Sequence, residues 1–232
     1  MKKYYLAFFA LLLFAGCEKE SVTPATLEAD TAVDFRSASK RLVLHNTGSS
    51  SNPWEVIEVS DMAYQKAHQG HGDKVVGDAH AGGIIFYLAD TPTDLNGDGK
   101  PDLGLVAATA DQGPAPWGCY GNISGISGAD GTGVGTGRQN TDDILAGCNV
   151  ISPIAASLAR AYNGGGYTDW FLPSKDELNL MYENRESIGA SGFYWSSTEY
   201  DFLFAWNQFF FNGYQTNFNK VSSERVRAVR AF

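Results

Sequence analysis

The sequence predicts an α+β domain with long Gly-rich connections, on three observations. Two apolar runs of β-type residues, Gly83-Ile84-Ile85-Phe86-Tyr87-Leu88-Ala89 and Leu103-Gly104-Leu105-Val106-Ala107-Ala108, flank a polar segment rich in turn residues, the pattern of neighbouring strands. Further along, two amphipathic stretches carry helix start and stop signals. Glycine accounts for 26 of 232 residues, too many for a helical bundle and suited to loops and tight turns. Hydrophobic residues make up 44% and charged residues 19%, a globular composition. Seventeen Lys and Arg face 26 Asp and Glu for a net charge of −9; that sign does not gather phosphates, so no nucleic acid partner is expected.

The chain opens with a leader. Met1-Lys2-Lys3 precedes an apolar run over residues 4–14 and then Ala15-Gly16-Cys17, the charged, apolar and small-residue sections of a secretory signal. The run is too short to span a bilayer. Phe14-Ala15-Gly16-Cys17 resembles a bacterial lipobox, with Phe where Leu is usual. That resemblance implies removal of residues 1–16 and acylation of Cys17, including palmitate, which anchors the chain at the cell envelope in the outer membrane. Glu18-Lys19-Glu20 resembles a surface-export signal of Bacteroidota lipoproteins, and an ordinary polar tether reads the same way. Residues 17–53 are rich in Ser, Thr, Ala and charge, with one apolar patch at Leu42-Val43-Leu44, and are read as a flexible tether. Residues 54–81 form a short N-terminal extension: a strand over 54–59, then a helix capped by Ser60, running to His68 and stopped at Gly70. His68, His71 and His80 lie near Asp73 and Asp78, but their spacing is nonspecific and they are read as turn or surface histidines.

The domain proper spans residues 82–232. Between its two apolar runs lies Asp94-Leu95-Asn96-Gly97-Asp98-Gly99-Lys100-Pro101-Asp102. Oxygen-bearing side chains at the first, third, fifth and ninth positions, with Gly at the sixth for the sharp turn, suit a hard cation that takes several oxygens from one loop. Calcium is the expected ion, in a structural role, bound by the side chains of Asp94, Asn96, Asp98 and Asp102 and the backbone carbonyl of Lys100. Leu105 stands at the twelfth position, so the loop is not a complete EF-hand, and a solvated acidic hairpin is the alternative. Cys119 and Cys148 are the two cysteines left in an exported chain, and a disulfide between them is expected. The 118–147 segment it closes carries nine glycines and is read as a loop costly to order. Closing it stabilises by about 3–4 kcal/mol in the chain-entropy model.

Ser152-Pro153 starts a helix whose apolar face is Ile154, Ala155, Leu158, Ala159 and Tyr162, halted by Gly164-Gly165-Gly166. Ser174 and Glu177 form a capping box for a second helix, with Leu178, Met181, Tyr182 and Ile188 on one stripe up to Gly189. Strands return from Phe193, where 12 of the 26 residues 193–218 are aromatic, and residues 225–232 close the chain as a β-type segment. Tyr200, Phe202, Phe204 and Trp206 alternate, so an extended segment puts them on one face. Tyr200, Phe202 and Trp206 are the candidate ligand-binding residues, for stacking on sugar rings or a partner protein. The alternative buries Phe204 and Trp206 and leaves Tyr200 and Phe202 at a hairpin tip. Arg225, Arg227 and Arg230 are expected to pair with acidic groups.

The Gly164-Gly165-Gly166-Tyr167-Thr168-Asp169-Trp170-Phe171-Leu172-Pro173-Ser174-Lys175-Asp176-Glu177-Leu178 block, Tyr194-Trp195-Ser196-Ser197-Thr198-Glu199 and Val226-Arg227-Ala228-Val229-Arg230 together resemble the Lcl C-terminal domain family of bacterial surface proteins. The resemblance covers residues 82–232, with Phe171 where the family has Arg. It implies a C-type-lectin-like fold with two helices and twisted antiparallel strands, and a role in adhesion or carbohydrate binding. Formylglycine-generating enzymes share that broad fold but need a close pair of active-site cysteines, and the C-terminal strands hold none. All four histidines precede residue 82, leaving Ser196, Ser197 and Thr198 without a base, so no catalytic set is expected. Sugar-binding C-type lectins use Glu-Pro-Asn and Trp-Asn-Asp, to which Trp206-Asn207-Gln208 alone comes near, so a calcium-bridged sugar site is not supported. The expected function is recognition of an extracellular glycan or protein by an envelope lipoprotein; an envelope enzyme and a purely structural surface protein are the alternatives.

Overall fold

The computed structural model describes residues 39–122, 128–148 and 153–232. The leader, Cys17, residues 17–38 of the tether and Ser152 lie outside the described residues. The architecture is mixed α+β. β4 (Gly83–Thr93) and β5 (Asp102–Ala107) pair antiparallel, and β5 and residues 83–89 of β4 are covered on both faces. Ile85, Leu88 and Val106 belong to one core cluster, Phe86, Leu105 and Ala107 to another, so both strands read as unbroken apolar runs. β3 (Ala79–His80) and β11 (Val229–Ala231) complete a four-stranded sheet in the order β11-β5-β4-β3.

A second sheet joins β6 (Pro114–Pro116), β7 (Phe193–Glu199), β8 (Phe204–Phe209), β9 (Tyr214–Asn219) and β10 (Ser223–Arg225) in the order β6-β10-β7-β8-β9. It is antiparallel except where β10 meets β7. The closing segment is therefore two strands, and residues 226–228 carry the chain from one sheet to the other. The arginines there are paired as expected: Arg227 Nε lies 2.7 Å and Arg225 Nη1 3.1 Å from Asp111, and Arg230 forks onto Asp169 through two N–H groups at 2.8 Å.

β1 (Lys40–Asn46) pairs along its whole length with β2 (Trp54–Ser60), and Val43 and Leu44 are fully buried. This corrects the tether, which does not reach residue 53: the patch Leu42-Val43-Leu44 is a strand, buried by partners distant in sequence. The 54–81 extension is also built into the fold, since β3 hydrogen-bonds to β4. Ser60 caps α1 (Asp61–Ala63), its hydroxyl accepting from Ala63 N at 3.2 Å, and a π-helical turn follows over Tyr64–His68.

α4 (Lys175–Glu183) starts as predicted: Ser174 Oγ accepts from Glu177 N at 3.2 Å and Glu177 Oε2 accepts from Ser174 N at 2.8 Å. It breaks at Asn184, and α5 (Arg185–Ile188) ends on Gly189 with φ of 62°, a left-handed cap that glycine adopts without strain. α3 (Ala155–Ala161) begins later than the Ser152-Pro153 start, because Ile154 N donates to Ser157 Oγ at 2.9 Å and makes Ile154 the cap. The 118–147 segment holds an unpredicted helix, α2 (Gly137–Gly147), which takes the count past the two expected. Cys119 and Cys148 form the expected disulfide, with Cα atoms 5.1 Å apart.

Candidate ligand face and cation loop

The pairing register puts Phe193, Phe209 and Tyr214 in one cross-strand row of β7, β8 and β9, and Trp195, Asn207 and Thr216 in the next. Residues in such rows share a face. The opposite face is tied to α4: Gln208 Nε2 donates to Asn179 Oδ1 at 2.8 Å and Gln215 Nε2 to the Lys175 carbonyl at 2.9 Å. On the first face Phe193 and Phe209 stack, with centroids 4.2 Å apart and planes 12° from parallel, and Phe211 lies 5.8 Å from Phe209. Phe211 is 81% and Tyr214 62% exposed, a large apolar display at one end of the sheet.

Phe193 also lines a cleft of about 620 Å³ with Asp111, Pro114, Ser223, Glu224 and Arg225. Its stacking partner Phe209 lines a second cleft of about 570 Å³ with Arg185, Glu186 and Phe211. Asp111 is fixed by Arg225, Arg227 and the Tyr194 hydroxyl, which donates to it at 3.2 Å. Burial, with the Asp111 charge adding to it, pushes the Tyr194 phenol up, so it keeps its proton. In the neighbouring row Asn207 is 1% exposed, and both its amide nitrogen and oxygen lack a hydrogen-bond partner within the protein.

Tyr200, Phe202 and Trp206 stand at the other end of the β7–β8 hairpin. They do not form one extended face, because a turn over residues 201–203 separates Tyr200 from β8. Leu203 N and Phe204 N both donate to Asp201 Oδ1, at 2.7 and 2.8 Å, and close that turn. Tyr200 and Phe202 are exposed at this tip. Trp206 meets Tyr200 edge to face at 5.5 Å and lies under Lys175, whose Nζ is 4.6 Å from the ring centroid.

The 94–102 loop is held by its own side chains. Asp94 accepts from Gly97 N at 2.7 Å and Gly99 N at 2.9 Å, Asn96 Oδ1 from Asp98 N at 2.9 Å, Asp98 Oδ1 from Lys100 N at 2.8 Å, and Asp102 Oδ2 from Leu95 N at 2.8 Å. Gly99 has φ of 81°, the left-handed geometry that lets its N–H reach back to Asp94. These N–H groups, Gly99 first, outweigh desolvation and hold the Asp94 carboxyl below the usual range; burial and the charges of Asp98 and Asp94 push Asp102 up. The donors are all oxygens, as calcium requires. Among the described residues, however, the carboxylates of Asp94, Asp98 and Asp102 do not gather to within 4.8 Å of one another, a closeness that His45, His68 and Asp73 do reach. A cation in this loop would have to draw these carboxylates together.

The remaining candidates serve the fold. Ser196 Oγ donates to the Trp206 carbonyl and Thr198 Oγ1 to the Gly131 carbonyl, both at 2.8 Å, and Ser197 Oγ accepts from Asn140 at 3.3 Å. His80 packs edge to face between Trp54 and Phe232, away from the acidic groups that its sequence position suggests. The sequence pattern that marks Tyr200, Phe202 and Trp206 does not mark Phe193, Phe211 or Tyr214; the signal for them is the Phe209-Phe210-Phe211 run beside Asn212-Gly213, an aromatic cluster at a turn. No protein-family model matches the chain, and a search of curated proteins returns no significant match.

Proposed function

We propose that this protein is a cell-envelope lipoprotein, anchored through Cys17, whose C-type-lectin-like domain recognises an extracellular glycan through aromatic side chains and is stabilised by calcium in the 94–102 loop. The stacked Phe193 and Phe209 rings, each lining a cleft that also holds charged groups, carry the reading. Aromatic planes take the apolar face of a sugar ring, while Glu224, Ser223, Arg225, Arg185 and Glu186 supply hydrogen-bonding groups at its rim. The resemblance of residues 164–178 and 194–199 to Lcl C-terminal domains agrees with adhesion, and Tyr200, Phe202 and Trp206 offer a second contact at the far end of the hairpin. The Cys119–Cys148 disulfide favours recognition over thiol chemistry of the formylglycine-generating kind.

A glycan array probed with the purified protein tests the proposal. Bound glycans are expected, and Phe211→Ala and Tyr214→Ala each weaken them about tenfold with unchanged melting, because both side chains are exposed. An array with no bound member, or binding that survives both substitutions, overturns it.

A further inference from the structure

Two stretches distant in sequence, β1 and residues 64–74, meet beside the β1–β2 hairpin. His45 lies on β1, and an isolated antiparallel bridge between Leu44 and Lys74, with Leu44 N donating to the Lys74 carbonyl at 2.8 Å, sets Asp73 next to it. The π-helical turn over Tyr64–His68 is followed by a reversal in which His71 N donates to the His68 carbonyl at 3.1 Å, and this brings His68 to the same place. The Asp73 side chain is fully buried, and its Oδ1 accepts from Asn46 N at 2.8 Å. Both imidazoles present Nδ1 to that carboxylate: His45 at 3.0 Å and His68 at 2.7 Å from Oδ2. The two rings stand edge to face with centroids 5.5 Å apart.

We propose that His45, His68 and Asp73 form a divalent transition-metal site, with zinc as its ion. One atom from each residue lies within 4.8 Å of the others, and two imidazole nitrogens with one carboxylate oxygen is a donor set for zinc, not for calcium. Bond lengths of about 2.0–2.1 Å in a tetrahedron place neighbouring ligand atoms about 3.3 Å apart, so a metal asks the His45 and His68 contacts to Asp73, now 3.0 and 2.7 Å, to open by about 0.3–0.6 Å, and one nitrogen of each imidazole, within 4.8 Å of the other, to close the triangle. His45 and His68 are partly exposed while Asp73 is sealed, which leaves the fourth position to water. Ligands from the hairpin, the helical turn and the loop make the metal a clip that fastens the N-terminal hairpin. The site is separate from the 94–102 loop and stands whether or not that loop binds calcium. Without metal, the same three residues make a His-Asp-His hydrogen-bonded cluster, and that is the competing account.

Untagged protein stripped with chelator and titrated with Zn²⁺ is expected to take up one equivalent. Excess Ca²⁺ leaves this binding intact, and the His45→Gln/His68→Gln double variant loses it. Co²⁺ in the wild type is expected to give the intense visible bands of a tetrahedral site. On the wild type again, Zn²⁺ is expected to shield His45 and His68 from diethyl pyrocarbonate, read by mass spectrometry, while exposed His71 reacts with or without metal; these two readouts do not depend on whether the variant folds. Absence of stoichiometric zinc, a weak octahedral cobalt spectrum, equal labelling of His45 and His68 in both states, or zinc retained by the double variant would each overturn the proposal.

Discussion

His80 lies between Trp54 and Phe232, with ring centroids 5.1 and 4.7 Å away. Burial there, reinforced by the charges of Lys74 and Arg230, pushes its pKa from 6.5 down to about 4. The unfolded chain therefore binds this proton more readily than the folded one, and stability is lost as pH falls from 6.5 towards 4. Glu177 acts in the opposite sense: burial pushes its carboxyl from 4.5 up to about 7, against the N–H groups of Ser174, Gly135 and Gly137, so its contribution grows as pH falls from 7 to 4.5. The two effects overlap in the wild type, and a single substitution separates them. His80→Phe keeps the aromatic packing and removes the proton site, so its stability relative to wild type should rise by about 2 kcal/mol between pH 7 and pH 4.5, discounted for screening. Melting curves at the two pH values check this, and a pH-independent difference would refute it. Asn207 is a residue-scale cost of another kind, because a buried amide without partners forfeits hydrogen bonds that water supplies in the unfolded chain. Asn207→Leu should leave stability unchanged or raise it by about 1 kcal/mol, as denaturant titration will show.

At the level of elements, β4, β5 and α4 were legible in the sequence because their signals are local. The first two need only β-type apolar runs around turn residues, and the third needs Ser174 and Glu177 three positions apart. β1 and α2 were not. Leu42-Val43-Leu44 is a short patch, and Leu44 is buried in the core with Ile85, Trp117, Trp170 and Trp195, with Leu42 packed against that cluster; no periodicity reports such distant partners. α2 turns a largely polar side inward: Asn140 Nδ2 donates to the Gly131 carbonyl at 2.6 Å, its Oδ1 accepts from Gly131 N at 3.2 Å, and Thr141 Oγ1 accepts from Leu172 N at 3.0 Å. Hydrogen bonds to loop backbone replace the apolar stripe by which helices are read. Asn140→Ala should therefore cost about 2–3 kcal/mol, with hydrogen exchange quickening around Gly131; a loss below about 0.5 kcal/mol would mean the loop does not depend on it. The cation loop was legible as a motif but not as a geometry, since spacing fixes which oxygens are offered and not how closely they gather. If calcium closes it, the melting temperature rises with free Ca²⁺ and Asp94→Ala/Asp98→Ala abolishes the rise; a wild-type curve indifferent to Ca²⁺ and chelator leaves the loop a polar turn.

Across the whole molecule, the N-terminal hairpin and the C-terminus close on the same sheet. β3 and β11 are the two edges of the four-stranded sheet, His80 on β3 packs against Phe232, and Phe232 N donates to the Gly104 carbonyl at 3.1 Å. Leu44 belongs to the core cluster that also holds Ile85, Trp117, Trp170 and Trp195, with Trp54 and Val56 packed against it. The stretch from residue 82, which the sequence sets apart as the domain, is therefore not the whole folding unit. A fragment of residues 82–232 loses β1, β2 and β3, uncovers one edge of β4, and opens the core where Leu44 sat. Removing the burial of Leu44 alone forfeits about 1.5–3 kcal/mol, and loss of the β3 pairing and of the Trp54 and Val56 contacts adds to it. Set against a total of about 5–15 kcal/mol for a domain, that deficit should lower the melting temperature of the 82–232 fragment by more than about 10 °C relative to residues 39–232, with dye binding that reports exposed apolar surface. Equal, cooperative melting of the two fragments would show instead that the hairpin is an appendage, and would return the domain boundary to residue 82.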